Sequence, residues 1–255
     1  MKIASWNVNS LKVRLPQVLD WLQQQQPDIL ALQETKLTDE HFPATEIQAA
    51  GYHAVHAGQK TYNGVALLSK QPAQEVLADI PGLEDAQRRI LCATLAGIRV
   101  INLYVPNGQE VGSEKFRYKL DWLQHITRYI KQQLAAHPKL VVLGDFNVTP
   151  EDRDVHDPLA WHEQILCSTP ERQALQGMLA LGLNDSFRLF EQPDNIFSWW
   201  DYRAGGFRRN AGLRIDLILT SAALSSACTS ASIDTAPRAL ERPSDHAPVL
   251  AEFTD

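Results

Sequence analysis

Short apolar runs alternate along the chain with longer segments in which apolar residues recur every three or four positions. The short runs favour β-strands, and the three- and four-residue spacing is that of one face of an α-helix. This alternation predicts a mixed α/β protein, with sheets layered against helices.

Two helices are predicted by this spacing and a third by its start signal. The first covers residues 13–26 and stops before Pro27, and the longest covers residues 113–134. The third begins at Thr169, because Pro170 follows at the first helical position, where its missing N–H costs nothing. Strands are predicted at residues 3–6, 29–32, 64–69, 90–95, 99–104, 139–143, 197–200, 213–220, 231–234 and 248–253.

No repeat, low-complexity tract or linker-like stretch interrupts the pattern, so residues 1–255 are predicted to form a single domain. No apolar run approaches the roughly 18 residues of a membrane helix, and the amino terminus lacks the pattern of a signal peptide. The expectation is therefore a protein without a membrane partner.

Composition narrows the class further. The chain is 44% hydrophobic and 21% charged, and 13 Gly and 14 Pro are too few for a fibrous or disordered protein. The three cysteines, Cys92, Cys167 and Cys228, fit neither a disulfide framework nor a zinc-ligand spacing. A reducing, cytoplasmic location is expected.

The formal net charge of −6 argues against a nucleic-acid partner, because nucleic-acid-binding domains are usually basic. The basic residues are unevenly spread, however, and a basic rim around an acidic metal site is compatible with this total. Ordinary solvated faces are the alternative for each cluster. The clusters are Arg88 with Arg89, then Lys115 with Arg117 and Lys119, and last Arg203, Arg208, Arg209 and Arg214.

Acidic and amide side chains follow several of the predicted strands. Asp145 and Asn147 are two positions apart and point to one side of an extended segment, whereas Asp245 and His246 are adjacent and diverge. Asp216 lies inside an apolar run and needs a partner, because an unpaired buried charge is costly. Taken alone, Asp145 and Asn147 also fit a simple turn, Asn7 a turn cap and Glu34 a solvated loop, whereas Asp216 is harder to explain in this way.

Taken together, carboxylates, amides, a histidine and a tyrosine are the groups used to hydrolyse a phosphate ester with a hard metal ion. Oxygen ligands without cysteine favour Mg²⁺ or Mn²⁺ over zinc. The pair His53 and His56 is interpreted as strand or loop histidines, because no third zinc ligand is nearby.

Six segments, in this order, resemble the motifs of exonuclease III-type DNA-repair nucleases of the endonuclease/exonuclease/phosphatase superfamily. The resemblance runs from residue 3 to the carboxyl terminus. The segments are Trp6-Asn7-Val8-Asn9, Gln33-Glu34-Thr35-Lys36, Tyr104-Val105-Pro106-Asn107-Gly108, Gly144-Asp145-Phe146-Asn147-Val148, Leu213-Arg214-Ile215-Asp216 and Ser244-Asp245-His246-Ala247-Pro248.

The resemblance implies a four-layer α/β sandwich, with two mixed β-sheets packed face to face and helices outside. It implies Glu34 as the principal ligand of Mg²⁺ or Mn²⁺, with Asn7 and Asp245 beside it. Asp145 and Asn147 activate and position water in that family, and they become ligands too if a second ion binds. His246, oriented by Asp216, and Tyr104 contact the phosphate. The implied DNA or phosphate contacts are Asn9, Lys36, Asn107, Arg214 and Trp200.

The implied activity is metal-dependent hydrolysis of DNA at 3′ ends, as exonuclease, 3′-phosphatase and 3′-phosphodiesterase, by a monomer acting on double-stranded DNA with 3′ ends or abasic sites. Two alternatives are compatible with parts of the pattern. One is a hydrolase of small phosphodiesters or lipid phosphates. The other is an inactive DNA-binding or scaffold protein, which the complete motif set disfavours.

The chain departs from the family in one loop. Where abasic endonucleases of this family usually carry Gly and then Phe, the sequence has Leu166 and Cys167. A bulky Leu166 in place of glycine is expected to leave an internal abasic sugar little room, because burying the sugar depends on close packing. Incision at abasic sites is therefore expected to be weaker than activity at 3′ ends.

Overall fold

The protein is described from a computed structural model over residues 1–254. Within that range it has two six-stranded sheets, one two-stranded sheet formed by β10 (Trp199–Trp200) and β11 (Gly212–Leu213), and five α-helices. The strands are β1 Lys2–Asn7, β2 Ile29–Gln33, β3 His53–Ala57, β4 Val65–Ser69, β5 Gln74–Leu77, β6 Ile90–Leu95, β7 Ile98–Tyr104, β8 Leu140–Asp145, β9 Leu183–Asp185, β10 Trp199–Trp200, β11 Gly212–Leu213, β12 Asp216–Ser221, β13 Cys228–Ile233 and β14 Val249–Phe253. The helices are α1 Leu11–Gln25, α2 Ala44–Ala49, α3 Glu114–Ala136, α4 Thr169–Leu179 and α5 Ala222–Ser225.

Each sheet is mixed and has one parallel pair near its centre. The first sheet has the order β13-β14-β1-β2-β4-β3, with β1 parallel to β2. The second has the order β5-β6-β7-β8-β12-β9, with β7 parallel to β8. Helices α1 and α3 make the two crossovers that parallel strands require. The carboxyl ends of both parallel pairs therefore become available for a site.

Three apolar clusters explain the layering. One lies between the sheets and joins residues such as Ile29 and Leu67 of the first sheet to Val100 and Val141 of the second. The other two pack α1 on the outer face of the first sheet, and α3 with α4 on the outer face of the second. The expected four-layer α/β sandwich is confirmed.

The predicted helices agree with the structure to within about two residues. Helix α1 includes Pro16 near its start and ends at Gln25. The next residue, Gln26, has a left-handed backbone (φ 47°), and its N–H donates to the carbonyl oxygen of Leu22. Helix α3 begins after Ser113, whose hydroxyl accepts the Phe116 N–H as an N-cap. None of the helices in residues 1–254 is long and apolar enough to cross a membrane.

One predicted strand is broken in two. Residues 213–220 were expected to be continuous, but β11 ends at Leu213 and β12 begins at Asp216. The hydroxyl of Ser198 accepts the N–H groups of Ile215 and Asp216, each at 3.0 Å, so these groups leave the ladder. The break turns Asp216 into the first residue of a strand at the edge where β8 ends.

The short elements α2, α5, β3, β5 and β9 were not predicted, because each is too short for a periodic signal. His53 and His56 lie in β3, as expected for strand histidines. The turn at Ala96 and Gly97 joins β6 to β7, and both residues have positive φ (50° and 78°), as a tight hairpin turn requires.

Candidate active site

Both parallel strand pairs end at the same edge of the sandwich, and the predicted site residues lie there. Asn7 ends β1 and Glu34 follows β2 in the first sheet. Tyr104 ends β7 and Asp145 ends β8 in the second sheet. The site is therefore assembled from both sheets. No single sequence motif indicated that residues from two sheets would meet.

Asn7 joins the two sheets at this edge. Its side chain is fully buried, and its Nδ2 donates to Glu34 Oε1 at 3.0 Å and to Asp145 Oδ2 at 2.9 Å. One amide group thus holds two carboxylates from different sheets. Ser244 fixes Asn7 in turn, because its hydroxyl donates to the Asn7 carbonyl oxygen at 2.6 Å.

Glu34, Asp145 and His246 each present a ligand atom, and these atoms lie within 4.8 Å of one another. Carboxylate oxygens are hard donors, which suit Mg²⁺ or Mn²⁺. Asp245 lies outside this group of three, since its oxygens accept Asn9 Nδ2 and Trp199 Nε1, each at 3.0 Å.

His246 is held between two carboxylates. Its Nδ1 lies 2.8 Å from Asp216 Oδ2, and its Nε2 lies 3.7 Å from Asp145 Oδ2. Burial lowers the pKa of His246, but the charges of Asp216 and Asp145 outweigh burial and raise this pKa to about 10. The contact with Asp216 orients the ring and leaves Nε2 directed toward the site.

Asp145 is also fully buried. Burial raises the pKa of its carboxyl group to about 7, although the neighbouring His246 charge lowers it. Asp145 Oδ1 accepts the N–H of Asn147 at 2.9 Å. A carboxylate with this pKa can take up a proton near neutral pH, as a general base must.

Asn147 is positioned by three contacts. Its Nδ2 donates to the Val105 carbonyl oxygen at 3.0 Å and lies 3.3 Å from Asp145 Oδ2. Its Oδ1 accepts from Asn107 Nδ2 at 3.3 Å. The loops after β7 and β8 are thereby joined through the two amides.

Tyr104 remains a neutral donor at ordinary pH. Burial raises the pKa of its hydroxyl well above 10, and the carboxylates of Glu34 and Asp145 raise it further. The guanidinium of Arg89 lies 4.7 Å above the centre of the Tyr104 ring, and it also donates to the Tyr104 carbonyl oxygen at 3.3 Å.

Lys36 and Asn9 lie on the open side of the cluster. Lys36 Nζ is 2.9 Å from Glu34 Oε2 and donates to Asn9 Oδ1 at 2.6 Å. About a quarter of the Lys36 side chain (27%) is exposed. A cation at this position faces an arriving anion without being buried.

Several non-glycine residues around the site have positive φ angles. Non-glycine residues rarely adopt them, and strain of this kind tends to cluster at functional sites. Five residues around the site show it: Asn9 (42°), Glu34 (51°), Lys36 (53°), Asn147 (48°) and Leu166 (73°).

Two of the predicted DNA contacts are buried. Arg214 is 1% exposed, and its guanidinium forms ion pairs with Asp154 and Asp185 at 2.6 and 2.8 Å. Trp200 is also 1% exposed, and its Nε1 donates to Asn210 Oδ1 at 3.0 Å. Neither side chain faces solvent in this conformation.

Leu166 and Cys167 are buried in one apolar cluster with Val155, Leu213 and Ile215. Trp199, whose indole N–H contacts Asp245, packs against the same cluster. Leu166 therefore lies in a filled apolar wall that extends to the site. The sequence-based expectation for this loop stays a prediction.

Several functional positions were not assigned from the sequence. Ser244 and Trp199 stood beside assigned residues, and this adjacency was the only signal. Ser198, which holds the start of β12, gave no signal at all. Lys119 was grouped with surface basic residues, but its side chain is 0% exposed.

A groove of about 800 Å³ leads away from Glu34 and Tyr104. Its lining is rich in neutral amides and has few acids. The amide residues are Gln59, Asn63, Gln87, Asn107 and Gln109, joined by Arg89 and Lys115.

Comparison with known proteins agrees with this geometry. The family model described as "Endonuclease/Exonuclease/phosphatase family" matches residues 4–246. The exodeoxyribonuclease III of Haemophilus influenzae is 40% identical, over 99% of this chain and all of that protein. The structure of the 3′ phosphatase NExo from Neisseria, bound to a product DNA hairpin, is 50% identical with a TM-score of 0.98, and each chain is covered fully.

An AP endonuclease from Archaeoglobus fulgidus is similar as well, with 38% identity, a TM-score of 0.96 and full coverage of both chains. The family expected from the six sequence motifs is confirmed by these matches. This chain belongs to the endonuclease/exonuclease/phosphatase family, with the exodeoxyribonucleases III among its relatives.

Proposed function

We propose that this protein is a metal-dependent DNA-repair phosphodiesterase that acts at 3′ ends, as 3′-exonuclease and 3′-phosphatase or phosphodiesterase, and incises internal abasic sites weakly. One observation carries the proposal. Glu34, Asp145 and His246 each bring a ligand atom within 4.8 Å of the others at the edge where the two sheets meet. Two carboxylates beside a histidine form an arrangement suited to metal-assisted hydrolysis of a phosphate ester.

Glu34 is the proposed principal ligand of Mg²⁺ or Mn²⁺, with Asp145 opposite it. Asn7, Asn147 and Asp245 are proposed as further ligands or as groups that orient the first two. When bound, the ion neutralises charge on the phosphoryl oxygens. Asn7 already holds both carboxylates through one amide, so the site is pre-organised for a cation.

The chain's own residues divide the remaining work. Asp145 orients the attacking water and accepts its proton, with the Asn147 amide beside it. The imidazolium of His246 donates from Nε2 to a phosphate oxygen, and Asp216 holds the ring through Nδ1. Tyr104 donates its hydroxyl as negative charge develops in the transition state.

DNA is proposed to reach the site along the groove beside Glu34 and Tyr104. Lys36, Asn9 and Asn107 contact the phosphates next to the scissile bond. Neutral amides in the groove offer hydrogen-bond donors without acidic repulsion, which reconciles DNA binding with a net charge of −6.

The preference for 3′ ends is proposed from Leu166, which together with Cys167 fills the apolar wall beside Asp245. A terminal group needs less enclosure than an abasic sugar turned out of a duplex. Activity at 3′ ends is the activity named for NExo, whereas the Archaeoglobus relative is named an AP endonuclease. These relatives favour DNA over the small phosphodiesters and lipid phosphates considered from the sequence.

The test offers three DNA duplexes, which carry a recessed 3′ end, a 3′-phosphate or an internal abasic site. Each is incubated with Mg²⁺, Mn²⁺ or EDTA, and Asp145→Asn serves as the control for contaminating nucleases. We expect metal-dependent removal of 3′ groups and slower abasic incision. Cleavage that persists in EDTA, or no cleavage of any duplex, would contradict the proposal.

Three further points stay predictions: a cytoplasmic location, a monomeric state, and a single domain over residues 1–255. The match of the family model to residues 4–246 supports the last of these.

A further inference from the structure

A buried lysine–glutamate pair lies behind the active site and takes no part in the chemistry above. Nζ of Lys119, in α3, contacts the carboxylate of Glu171, in the first turn of α4, and both side chains are 0% exposed. Removing two charges from water is costly, so a buried pair is weak evidence for stability alone. Its hydrogen bonds indicate what it holds in place.

The ammonium of Lys119 is bonded to both amide loops of the site. Nζ donates to the carbonyl oxygen of Asn107 at 3.0 Å and to that of Asn147 at 2.6 Å. Gly108 leaves room for the lysine stem, because a Cβ there would lie 3.0 Å from Lys119 Cδ. One buried cation thus fixes the backbones of the two residues whose amides meet beside Asp145.

The carboxylate of Glu171 is bonded to the loop that carries Leu166. Its Oε1 accepts the Leu166 N–H at 3.1 Å, and its Oε2 accepts the N–H and hydroxyl of Ser168 at 3.1 and 2.6 Å. Leu166 has φ 73°, a left-handed conformation that a residue with a Cβ adopts only when the surroundings impose it. A charge-assisted hydrogen bond to its N–H imposes that conformation strongly.

We infer that Lys119 and Glu171 form a positioning pair that couples turnover to lesion preference. Glu171 holds Leu166 in the wall that excludes an internal abasic sugar, and Lys119 holds the amide loops that serve the chemical step. The inference rests on the proposed function, since it takes Leu166 as the residue that restricts the pocket.

The consequence of loosening the pair follows from the backbone of Leu166. Without a charged acceptor, the Leu166 N–H loses its strongest partner, and the loop relaxes toward negative φ. The leucine side chain then leaves its cluster, and space opens beside Trp199. Abasic incision should rise relative to 3′-end activity, even as turnover at 3′ ends falls.

The test uses Glu171→Gln, which keeps the volume of the side chain, and the double variant Lys119→Met with Glu171→Gln, which leaves no unpaired buried charge. Arg99→Met is the matched control. Arg99 is 5% exposed and lies at the opposite end of β7 from Tyr104. Each protein is assayed, at a temperature where circular dichroism shows it folded, on a 3′-phosphate duplex and on an abasic duplex. Leu166→Gly runs in parallel as the test of the proposed preference.

We expect both pair variants to lose about tenfold or more in kcat on the 3′-phosphate duplex, with KM changed by less than about twofold, as for lost positioning. The ratio of abasic to 3′ activity should rise about fivefold or more in the same variants. If the pair variants show the same ratio of abasic to 3′ activity as Arg99→Met, the inference is overturned. If Leu166→Gly leaves the ratio of abasic to 3′ activity unchanged, the proposed preference for 3′ ends is contradicted. If Leu166→Gly raises this ratio while the two pair variants do not, only the positioning role of Lys119 and Glu171 is contradicted.

Discussion

Asn7 Nδ2 donates to Asp145 Oδ2 at 2.9 Å, although the two residues are 138 positions apart and belong to different sheets. The same nitrogen donates to Glu34 Oε1. The bond therefore spans the junction of the two sheets at the point where the carboxylates of Glu34 and Asp145 meet. The distance between the carboxylates of Glu34 and Asp145 therefore depends on how the two sheets pack together.

The first prediction concerns this bridge. Asn7→Ala should lower kcat by about 10²-fold, because the two carboxylates lose their shared donor and are no longer held in register. Steady-state kinetics on a 3′-phosphate duplex would measure the change. Asn184→Ala is a suitable control, because this amide bonds Ser225 at an exposed position of β9. Similar kcat values for both variants would contradict the role of Asn7.

Glu34 is expected to hold the metal ion. Glu34→Gln should raise the Mg²⁺ concentration needed for half-maximal activity by about an order of magnitude or more, because one charged ligand is lost. A metal titration of activity measures this. The exposed Glu40 provides the control Glu40→Gln, which should titrate like the unaltered protein. An unchanged metal requirement in Glu34→Gln would refute the assignment.

Asp145 and His246 are expected to act in the chemical step rather than in binding. Asp145→Asn or His246→Asn should lower kcat by about 10²-fold or more. Asp216→Asn should also lower kcat, since it removes the charge that stabilises the imidazolium. DNA affinity, measured by fluorescence anisotropy in Ca²⁺, should change little. A variant that loses binding but keeps its turnover would show that the role is mistaken.

The left-handed backbone of Leu166 lowers the stability of the protein, whereas the packing of its side chain raises it. Two variants separate these two effects. Leu166→Ala should destabilise the protein by about 2–4 kcal/mol through the lost core contacts. Leu166→Gly loses the same contacts but relieves the positive φ, so it should be more stable than Leu166→Ala by about 1 kcal/mol. Urea unfolding measures both. A less stable glycine variant would indicate that the left-handed backbone carries no strain.

Arg214 is expected to stabilise the fold without contacting DNA. Arg214→Met should reduce the free energy of unfolding by about 3–5 kcal/mol, because the buried carboxylate of Asp154 loses its ion pair with Arg214. The dependence of DNA affinity on salt should remain the same. Lys36→Ala gives the contrast, with a salt slope smaller by about one and little change in stability. If DNA affinity depends less on salt concentration in Arg214→Met than in the unaltered protein, Arg214 contacts DNA after all.

Much of the fold could be predicted from the sequence because its signals are local. The stripe that predicted residues 113–134 as a helix depends only on the periodicity of one segment, and α3 covers Glu114–Ala136. Glu34 and Asp145 were noticed because each follows a predicted apolar strand, and the family resemblance supplied their expected roles. The family resemblance supplied the sandwich, which periodicity alone does not specify.

The sequence by itself determined the order of the main elements, the chemical types of the site residues and the family. Only the tertiary structure decided which charged residues face solvent and which are buried against a partner. Arg214 and Lys119 resemble surface residues in the sequence, yet Asp154 lies 60 residues from Arg214, and Glu171 lies 52 residues from Lys119. A charge is buried only where folding brings a counter-charge to it, and that depends on contacts across the chain rather than on a local pattern.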